Sequence, residues 1–201
     1  TLTMLETMRI LKKYYPNPKR TIVVGLWGSE EQGLNGSRGF VADNPEIIKG
    51  VQAVFNQDNG TGRVVDISGQ GFKDSYAYIG RWLDAAPKKV KDQIKSTFPG
   101  MPGGGGSDHA SFVAAGVPGF SLSSLNWGYF GYTWHTTKDT YDKIVFDELK
   151  NNVILTATLA YMASEDPEFV SREKRVMPTN EKGETVKWPE AREPKRSSKD
   201  Y

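Results

Sequence analysis

The stretch TIVVGLWGSEEQG, residues 21–33, decides which fold class this sequence indicates. Its first part, Thr21 to Trp27, is a continuous apolar, β-branched run bounded by turn residues. Such a run is typical of a strand that is buried on both faces of a parallel sheet. The stretch therefore predicts a parallel sheet covered by helices, which is the α/β class.

The pattern on either side of this stretch alternates helices with strands. Hydrophobic periodicity predicts helices over residues 2–15, 36–50, 84–98, 107–115 and 146–164. Short apolar runs predict strands over residues 51–55, 64–68 and 119–125. Strand, helix and strand over residues 21–55 make the βαβ pattern of a parallel sheet. Because the first helix begins at the first residue, we expect the domain to be truncated at its N-terminus.

Composition separates the body of the chain from its tail. The 201 residues contain 26 Lys and Arg against 24 Asp and Glu, and residues 170–201 hold nine of the basic and six of the acidic side chains. The body, residues 1–169, is therefore close to neutral. The tail, residues 170–201, has several prolines and few aliphatic residues, so we expect it to be extended or disordered.

Charge, apolar content and cysteine count exclude several classes of function. A formal net charge of +2 is too small for a dedicated nucleic-acid-binding protein. No run approaches the roughly 20 apolar residues that span a bilayer, so we expect neither nucleic acid nor a membrane as partner. Because there is no cysteine, thiolate catalysis and all-cysteine zinc sites are impossible. Carboxylates and two histidines remain as metal ligands.

Two adjacent carboxylates, Glu30 and Glu31, directly follow the first predicted strand. They would lie at the carboxyl edge of a parallel sheet, where open α/β folds bind ligands. Successive side chains diverge, so one carboxylate can ligate a metal while the other accepts a proton from metal-bound water. A solvated acidic turn, or acids at the positive end of a helix, is the favoured interpretation of this pair alone.

Asp58 follows the second predicted strand in an equivalent position. Three carboxylates could then converge at one edge of the sheet, and gathered like charges raise one another's pKa unless a cation neutralises them. The cluster therefore favours a metal site. An Asx turn in the sequence Asp-Asn-Gly remains an equal alternative for Asp58.

Both histidines lie in loop sequences. His135 is flanked by aromatic residues and is followed four residues later by Asp139, which could accept the other ring N–H of a metal-binding imidazole. His109 follows Asp108 and a run of four glycines, and an ordinary structural role is an equal alternative for it. No nucleophile elbow accompanies Ser107, so a serine hydrolase is not indicated.

Four motifs occur in order along the chain: GLWGSEEQGLNGS, FNQDNGTG, GSDHASFVAAGVPGFSL and WHTTKDTYDKI. In this order they resemble the co-catalytic di-zinc exopeptidases, the family of bacterial leucyl aminopeptidases and plasma glutamate carboxypeptidase, with animal glutaminyl cyclase more distant. The resemblance covers most of residues 1–165. It implies a three-layer α/β/α sandwich around a mixed, largely parallel sheet, with residues 1–169 forming the C-terminal part of a catalytic domain.

The resemblance also implies roles for individual residues. Glu30 would be the general base, Glu31 and His135 would bind one zinc ion, and Asp58 would bind the other. The family pattern includes an upstream histidine and a bridging aspartate that this sequence lacks. Two zinc ions are therefore expected in the parent enzyme, and one or none in this chain.

Further residues near the implied site are candidates for contacts with the substrate or with the zinc ligands. Trp134 stands where many members of the family have tyrosine, and the cyclases share this tryptophan. Tyr132 is a candidate donor to the oxyanion in its place. Asp108 or His109 could fill a missing ligand position, and Asp139 could orient His135.

The reaction that the resemblance implies is hydrolysis of a terminal peptide bond, in which Glu30 takes a proton from zinc-bound water and passes it to the departing amine. Aminopeptidase is the leading interpretation, in a secreted or periplasmic enzyme. The alternatives are a glutaminyl-cyclase-like aminoacyl transferase and a non-catalytic, protease-like binding domain. We expect the chain alone to have little or no activity, and to associate with a missing N-terminal part or with another copy.

Overall fold

The computed structural model describes residues 1–197. Within them the helices are α1 (Leu2–Tyr14), α2 (Asn35–Asp43), α3 (Pro45–Gly50), α4 (Ser75–Asp84), α5 (Lys88–Lys91), α6 (His109–Ala114) and α7 (Phe146–Glu165). The strands are β1 (Val54–Asn56), β2 (Val64–Ser68), β3 (Lys95–Thr97) and β4 (Gly119–Ser124). A π-helical turn covers Tyr129–Thr133, and a 3-10 turn covers Tyr141–Lys143. No helix of the described part is long and apolar enough to cross a membrane.

The four strands form one mixed sheet in the order β1-β4-β2-β3. The pairs β1–β4 and β2–β3 are parallel, and β4 and β2 are antiparallel. Two of the three pairings are thus parallel. The prediction of an α/β fold around a mixed, largely parallel sheet is confirmed.

Helices cover both faces of the sheet. Successive residues of a strand point to opposite sides, so apolar residues on each side pack against helices there. In β1, Phe55 packs against the larger core, in which Trp82 of α4 and Leu159 of α7 are fully buried against β2 and β4. The preceding residue, Val54, packs against a smaller core that contains Ile48 of α3 and Phe112 of α6. The site described below includes the loops beyond the ends of β1 and β4.

The prediction of a buried strand over residues 21–27 is wrong. These residues pair with no strand of the described chain, none of their backbone groups makes a hydrogen bond there, and the side chains of Val23 and Leu26 are 68% and 56% exposed. A strand needs a neighbour for its backbone hydrogen bonds, and the described residues provide none at this position. The βαβ unit predicted over residues 21–55 is therefore also absent from the described chain.

The prediction of one helix over residues 84–98 is wrong as well. Helix α4 ends at Asp84, Pro87 precedes the single turn α5, and residues 95–97 pair with β2 as strand β3. Proline has no backbone N–H, so a helix cannot continue through Pro87, and the lysine-rich segment beyond it is too short to fold alone.

The tail lies along the surface of the body over its described part, residues 170–197. The amide of Lys73 donates to the carbonyl of Glu173, and the amide of Arg175 donates to the carbonyl of Gly71, each at 2.8 Å. Further along, the indole N–H of Trp188 donates to the carbonyl of Val113 in α6, at 3.0 Å. The tail thus crosses the loops that precede α4 and the C-terminal end of α6.

Candidate active site

A tight turn carries Glu30 and Glu31 from residues 21–27 into α2. The carbonyl of Glu30 accepts the amides of Gly33 and Leu34 at 2.9 and 2.8 Å. The amide of Gly36 donates to the carbonyl of Gly28 at 3.0 Å, and a Cβ on Gly36 would lie only 2.5 Å from that oxygen. Glycine at position 36 therefore permits the close approach that holds this turn against the start of α2.

Glu30 is a partly buried carboxylate that lies near the other acidic groups of the site. Partial burial raises its pKa, and the nearby carboxylates of Asp58, Asp108 and Glu31 raise it further, while His135 lowers it. A carboxylate in such surroundings holds a proton more readily than one in water. The structure thus brings together residues from four separate loops around Glu30.

His135 lies directly against Glu31. The distance from His135 Nε2 to Glu31 Oε1 is 2.9 Å, and both side chains are about half exposed. The Trp134 ring stacks on the imidazole with centroids 4.1 Å apart. His135 has a φ of 57°, in the left-handed region, so the backbone turns sharply at this residue. Two groups predicted as ligands of one zinc ion are therefore in contact.

Asp58 lies just beyond the end of β1 and is held by a chain of hydrogen bonds. The side-chain amide of Asn56 donates to Ser107 Oγ at 2.8 Å, and the Ser107 hydroxyl donates to Asp58 Oδ2 at 2.7 Å. This chain leaves the second carboxylate oxygen of Asp58 without a hydrogen bond inside residues 1–197. An oxygen in that state is suited to bind a cation.

Asp108 and His109 are buried at the start of α6, beside Asp58. Burial lowers the pKa of His109 to about 4, so its imidazole is neutral at pH 7, although the charge of Asp58 acts in the opposite direction. Burial also raises the pKa of Asp108. Among the described residues, Asp108 Oδ1 and His109 Nδ1 have no hydrogen-bond partner. Buried polar atoms without partners call for a water or a ligand.

Asp139 and Tyr132 are the sequence candidates for orienting His135 and for donating to the oxyanion. Asp139 makes no hydrogen bond to His135 within residues 1–197, and its charge instead contributes to a raised pKa of Tyr129. The Tyr132 side chain is 53% exposed, with the Lys138 ammonium 4.4 Å from its ring centroid.

Tyr129 is a further residue of the site, and the sequence motifs do not indicate it. Partial burial raises the pKa of its phenol, with smaller contributions from the charges of Asp139, Asp58 and Glu31. Tyr129 rather than Tyr132 is therefore the phenol beside the carboxylates. The signal that could have identified it is the aromatic run before His135, residues 129–134, in which any of four rings could face the site.

The described residues fit part of a zinc site. Carboxylate and imidazole groups are the ligands that zinc prefers in a chain without cysteine, and Glu31 and His135 present one of each in contact. A catalytic zinc site needs three protein ligands. Within residues 1–197, no group of three or more His, Asp or Glu side chains comes close enough together to hold a metal ion.

Residues 1–160 match the model of peptidase family M28. Leucine aminopeptidase 1 of Pyrenophora tritici-repentis is 28% identical over 171 residues, which cover 80% of this chain and 44% of that protein. The probable glutamate carboxypeptidase LAMP1 of Arabidopsis thaliana is 32% identical over 168 residues, 74% of this chain and 23% of that protein. The chain thus spans less than half the length of these relatives.

Two solved structures share the fold. A peptidase M28 precursor from Shewanella amazonensis superposes with a TM-score of 0.72 at 24% identity, over 89% of this chain and 38% of that chain. A zinc aminopeptidase from Bacillus subtilis superposes with a TM-score of 0.62 at 23% identity, over 86% of this chain and 42% of that chain.

Proposed function

The chain belongs to peptidase family M28, and we propose that it supplies part of the active site of a zinc-dependent exopeptidase that acts as an aminopeptidase. The observation that carries this proposal is the 2.9 Å contact between Glu31 and His135 beside the partly buried Glu30. A metal-binding pair next to a carboxylate with a raised pKa is the arrangement that metal-assisted hydrolysis requires.

In this proposal each carboxylate has one role. Glu31 and His135 hold a zinc ion, and Asp58, oriented by Ser107, contributes to a second metal position. Zinc, when bound, supplies Lewis-acid chemistry and lowers the pKa of water. Glu30 accepts the proton of the attacking water and delivers it to the departing amine, a task that its raised pKa favours because the carboxyl can hold the proton between the two steps.

The metal position is incomplete within residues 1–197, and the relatives are more than twice as long as the part that this chain matches. We therefore propose that the remaining ligands come from polypeptide that this chain does not contain. The unpaired backbone groups of residues 21–27, with Val23 and Leu26 exposed, offer that polypeptide a segment with which to form backbone hydrogen bonds. Formation of a dimer by this chain through the same segment would contradict that assignment.

Zinc binding by the chain tests the metal-binding pair. We expect weak binding of a single zinc ion by titration calorimetry, and a loss of at least about tenfold in affinity for Glu31→Gln and for His135→Gln. Glu6→Gln is the matched control, because Glu6 lies on α1 and pairs with Arg9. Unchanged zinc affinity in both variants of the pair would remove them from the metal site.

The role of Glu30 is tested separately, in a protein that includes the rest of the relatives' length. Glu30→Gln should keep its zinc and lose about 10²- to 10⁴-fold in kcat on a leucyl amide, since the proton acceptor is removed while the volume is kept. An unchanged kcat would contradict the role of Glu30. Pyroglutamate release from an N-terminal glutaminyl peptide, without hydrolysis of the leucyl amide, would instead favour the transferase.

The location of the protein in the cell is also part of this proposal. We propose that the peptidase acts on peptides outside the cytoplasm, in the secreted or periplasmic space. Fractionation of the native cells, with detection of the chain by mass spectrometry, would test this. Recovery of the chain with cytoplasmic markers alone would contradict it.

A further inference from the structure

A cavity of about 120 Å³ lies between α2, α6 and the tail, and none of the residues assigned to the peptidase site line it. Its walls are mainly apolar, with Leu34 and Val41 on one side and Ala110 and Ala114 on the other. The tail residues 189–193 complete the lining. The cavity is thus a small apolar chamber between the body and the tail.

Two arginines bring positive charge into this chamber. Arg38 of α2 is partly buried, and within residues 1–197 its guanidinium has neither a hydrogen bond nor an ion pair. Another guanidinium, that of Arg192 in the tail, lines the same cavity; burial and then this like charge lower the pKa of Arg38. Glu190 and Glu193 also line the cavity, but neither pairs with Arg38, and the charge of Glu193 acts on Arg196.

An unpaired, partly buried guanidinium that shares a cavity with a second one is an unfavourable arrangement, which a bound anion would relieve. Guanidinium groups bind carboxylates through two parallel hydrogen bonds, which suits this geometry. The apolar walls favour a ligand that also carries hydrocarbon. The volume limits its size, because a cavity of about 150 Å³ just holds benzene.

We propose that this cavity is a binding site for a small carboxylate with a short apolar chain, held by Arg38 and closed by Arg192 of the tail. The family match ends at residue 160, so Arg192 and the other lining residues of the tail lie outside it. The ligand joins the tail to α2, the helix that directly follows the turn with Glu30 and Glu31.

Binding of 3-methylbutanoate, compared with its neutral isostere 3-methylbutanamide, tests the proposal. By titration calorimetry we expect the carboxylate to bind with a Kd of about 0.1–10 mM and the amide to bind at least tenfold more weakly. Inorganic phosphate, which has the charge but no apolar part, should also bind at least tenfold more weakly than the carboxylate. Equal binding of the amide or of phosphate would overturn the proposal.

Variants locate the binding in the cavity. Arg38→Gln should weaken 3-methylbutanoate binding at least tenfold, and Arg192→Gln should weaken it severalfold, because Arg192 is the more exposed of the two. Arg9→Gln on α1 is the matched control. Arg38→Lys keeps the positive charge without the fork and should bind with intermediate affinity, which separates loss of the site from loss of folding. Undiminished binding by folded Arg38→Gln would overturn the assignment.

The ligand should also hold the tail in place. In saturating 3-methylbutanoate, we expect at least a threefold slower hydrogen exchange at the amides of Trp188 and of residues 190–193, and no such change in Arg38→Gln. Unchanged exchange despite binding would place the ligand elsewhere. These measurements involve no catalysis, so their failure would leave the peptidase proposal untouched.

Discussion

Replacement of Asp166 by asparagine should destabilise the fold through four hydrogen bonds at the end of α7. Asp166 Oδ2 accepts from Arg81 Nε and from the Trp82 indole, each at 2.7 Å. Asp166 Oδ1 accepts from Arg81 Nη2 and from the amide of Glu168, each at 3.0 Å. The side chain of Asp166 is only 4% exposed, so water has little access to its carboxylate.

The size of the effect follows from the acceptor count. Asparagine has one acceptor oxygen, so in either orientation two of the four bonds are lost and the new NH₂ group faces two donors. Each lost bond to a buried charged group contributes about 1.5 kcal/mol, which gives about 3 kcal/mol in total. This is the lower end of the range for breaking a buried ion pair, because Arg81 keeps its second partner, Glu168.

Urea unfolding at pH 7, followed by tryptophan fluorescence, measures this loss in the free energy of unfolding. Asp84→Asn is the matched control. Asp84 is the last residue of α4, the helix that carries Arg81 and Trp82, but its carboxylate is exposed and pairs with Lys91 at the surface. Little change in stability is therefore expected. A loss below about 1 kcal/mol for Asp166→Asn, or an equal loss in the control, would refute the reasoning.

The pH dependence provides a second check on Asp166. Burial acts to raise its pKa, but the hydrogen bonds from Arg81, the Glu168 amide and Trp82 outweigh burial, so the pKa lies below its ordinary value. A carboxyl group whose pKa is lowered by folding contributes its full stabilisation of the folded state above the pKa of the unfolded chain, about 3.9. That contribution is lost as the pH falls through the pKa of the folded state. The difference between the two proteins should therefore shrink below about pH 4.

Two further outcomes are expected. Gly36→Ala should destabilise the fold by on the order of 2 kcal/mol, because the new Cβ would meet the Gly28 carbonyl. The control Gly80→Ala, in α4, places its Cβ in open space and should stabilise the fold by up to about 1 kcal/mol. Equal effects of the two substitutions in thermal unfolding would contradict this. Between pH 6.5 and about 4, the unfolded chain binds a proton that buried His109 does not, so stability should fall by about 3 kcal/mol with decreasing pH. Urea titrations of His109→Gln should show a flatter dependence over that range, and an identical slope would refute the assignment.

Local patterns in the sequence were sufficient for elements that depend mainly on their own residues. Periodicity located α1 and α7 to within one residue at each end, and the strand over residues 64–68 coincides with β2. The strand predicted over residues 51–55 is shorter and shifted to Val54–Asn56. Helix periodicity is a local property, whereas the ends of a strand depend on its neighbours.

Residues 21–27 and 84–98 show why the remaining predictions failed. Both stretches have the composition of the predicted element. Residues 21–27 have no pairing partner in the described chain, whereas the helix predicted over residues 84–98 is interrupted at Pro87 and its residues 95–97 pair with β2 as a strand. Contacts between residues far apart in the sequence decide such cases, and no local pattern contains that information.

The sequence by itself determined the α/β class and the family resemblance, and it indicated Glu30, Glu31, Asp58 and His135 as candidate site residues, because these depend on composition and on the order of short motifs. Only the tertiary structure decided that Glu31 contacts His135, that Tyr129 rather than Tyr132 lies beside the carboxylates, and that the tail forms part of a cavity with α2 and α6. The physical reason is that burial, pKa and hydrogen bonding depend on distances between segments, and those distances are set when the helices pack on the sheet.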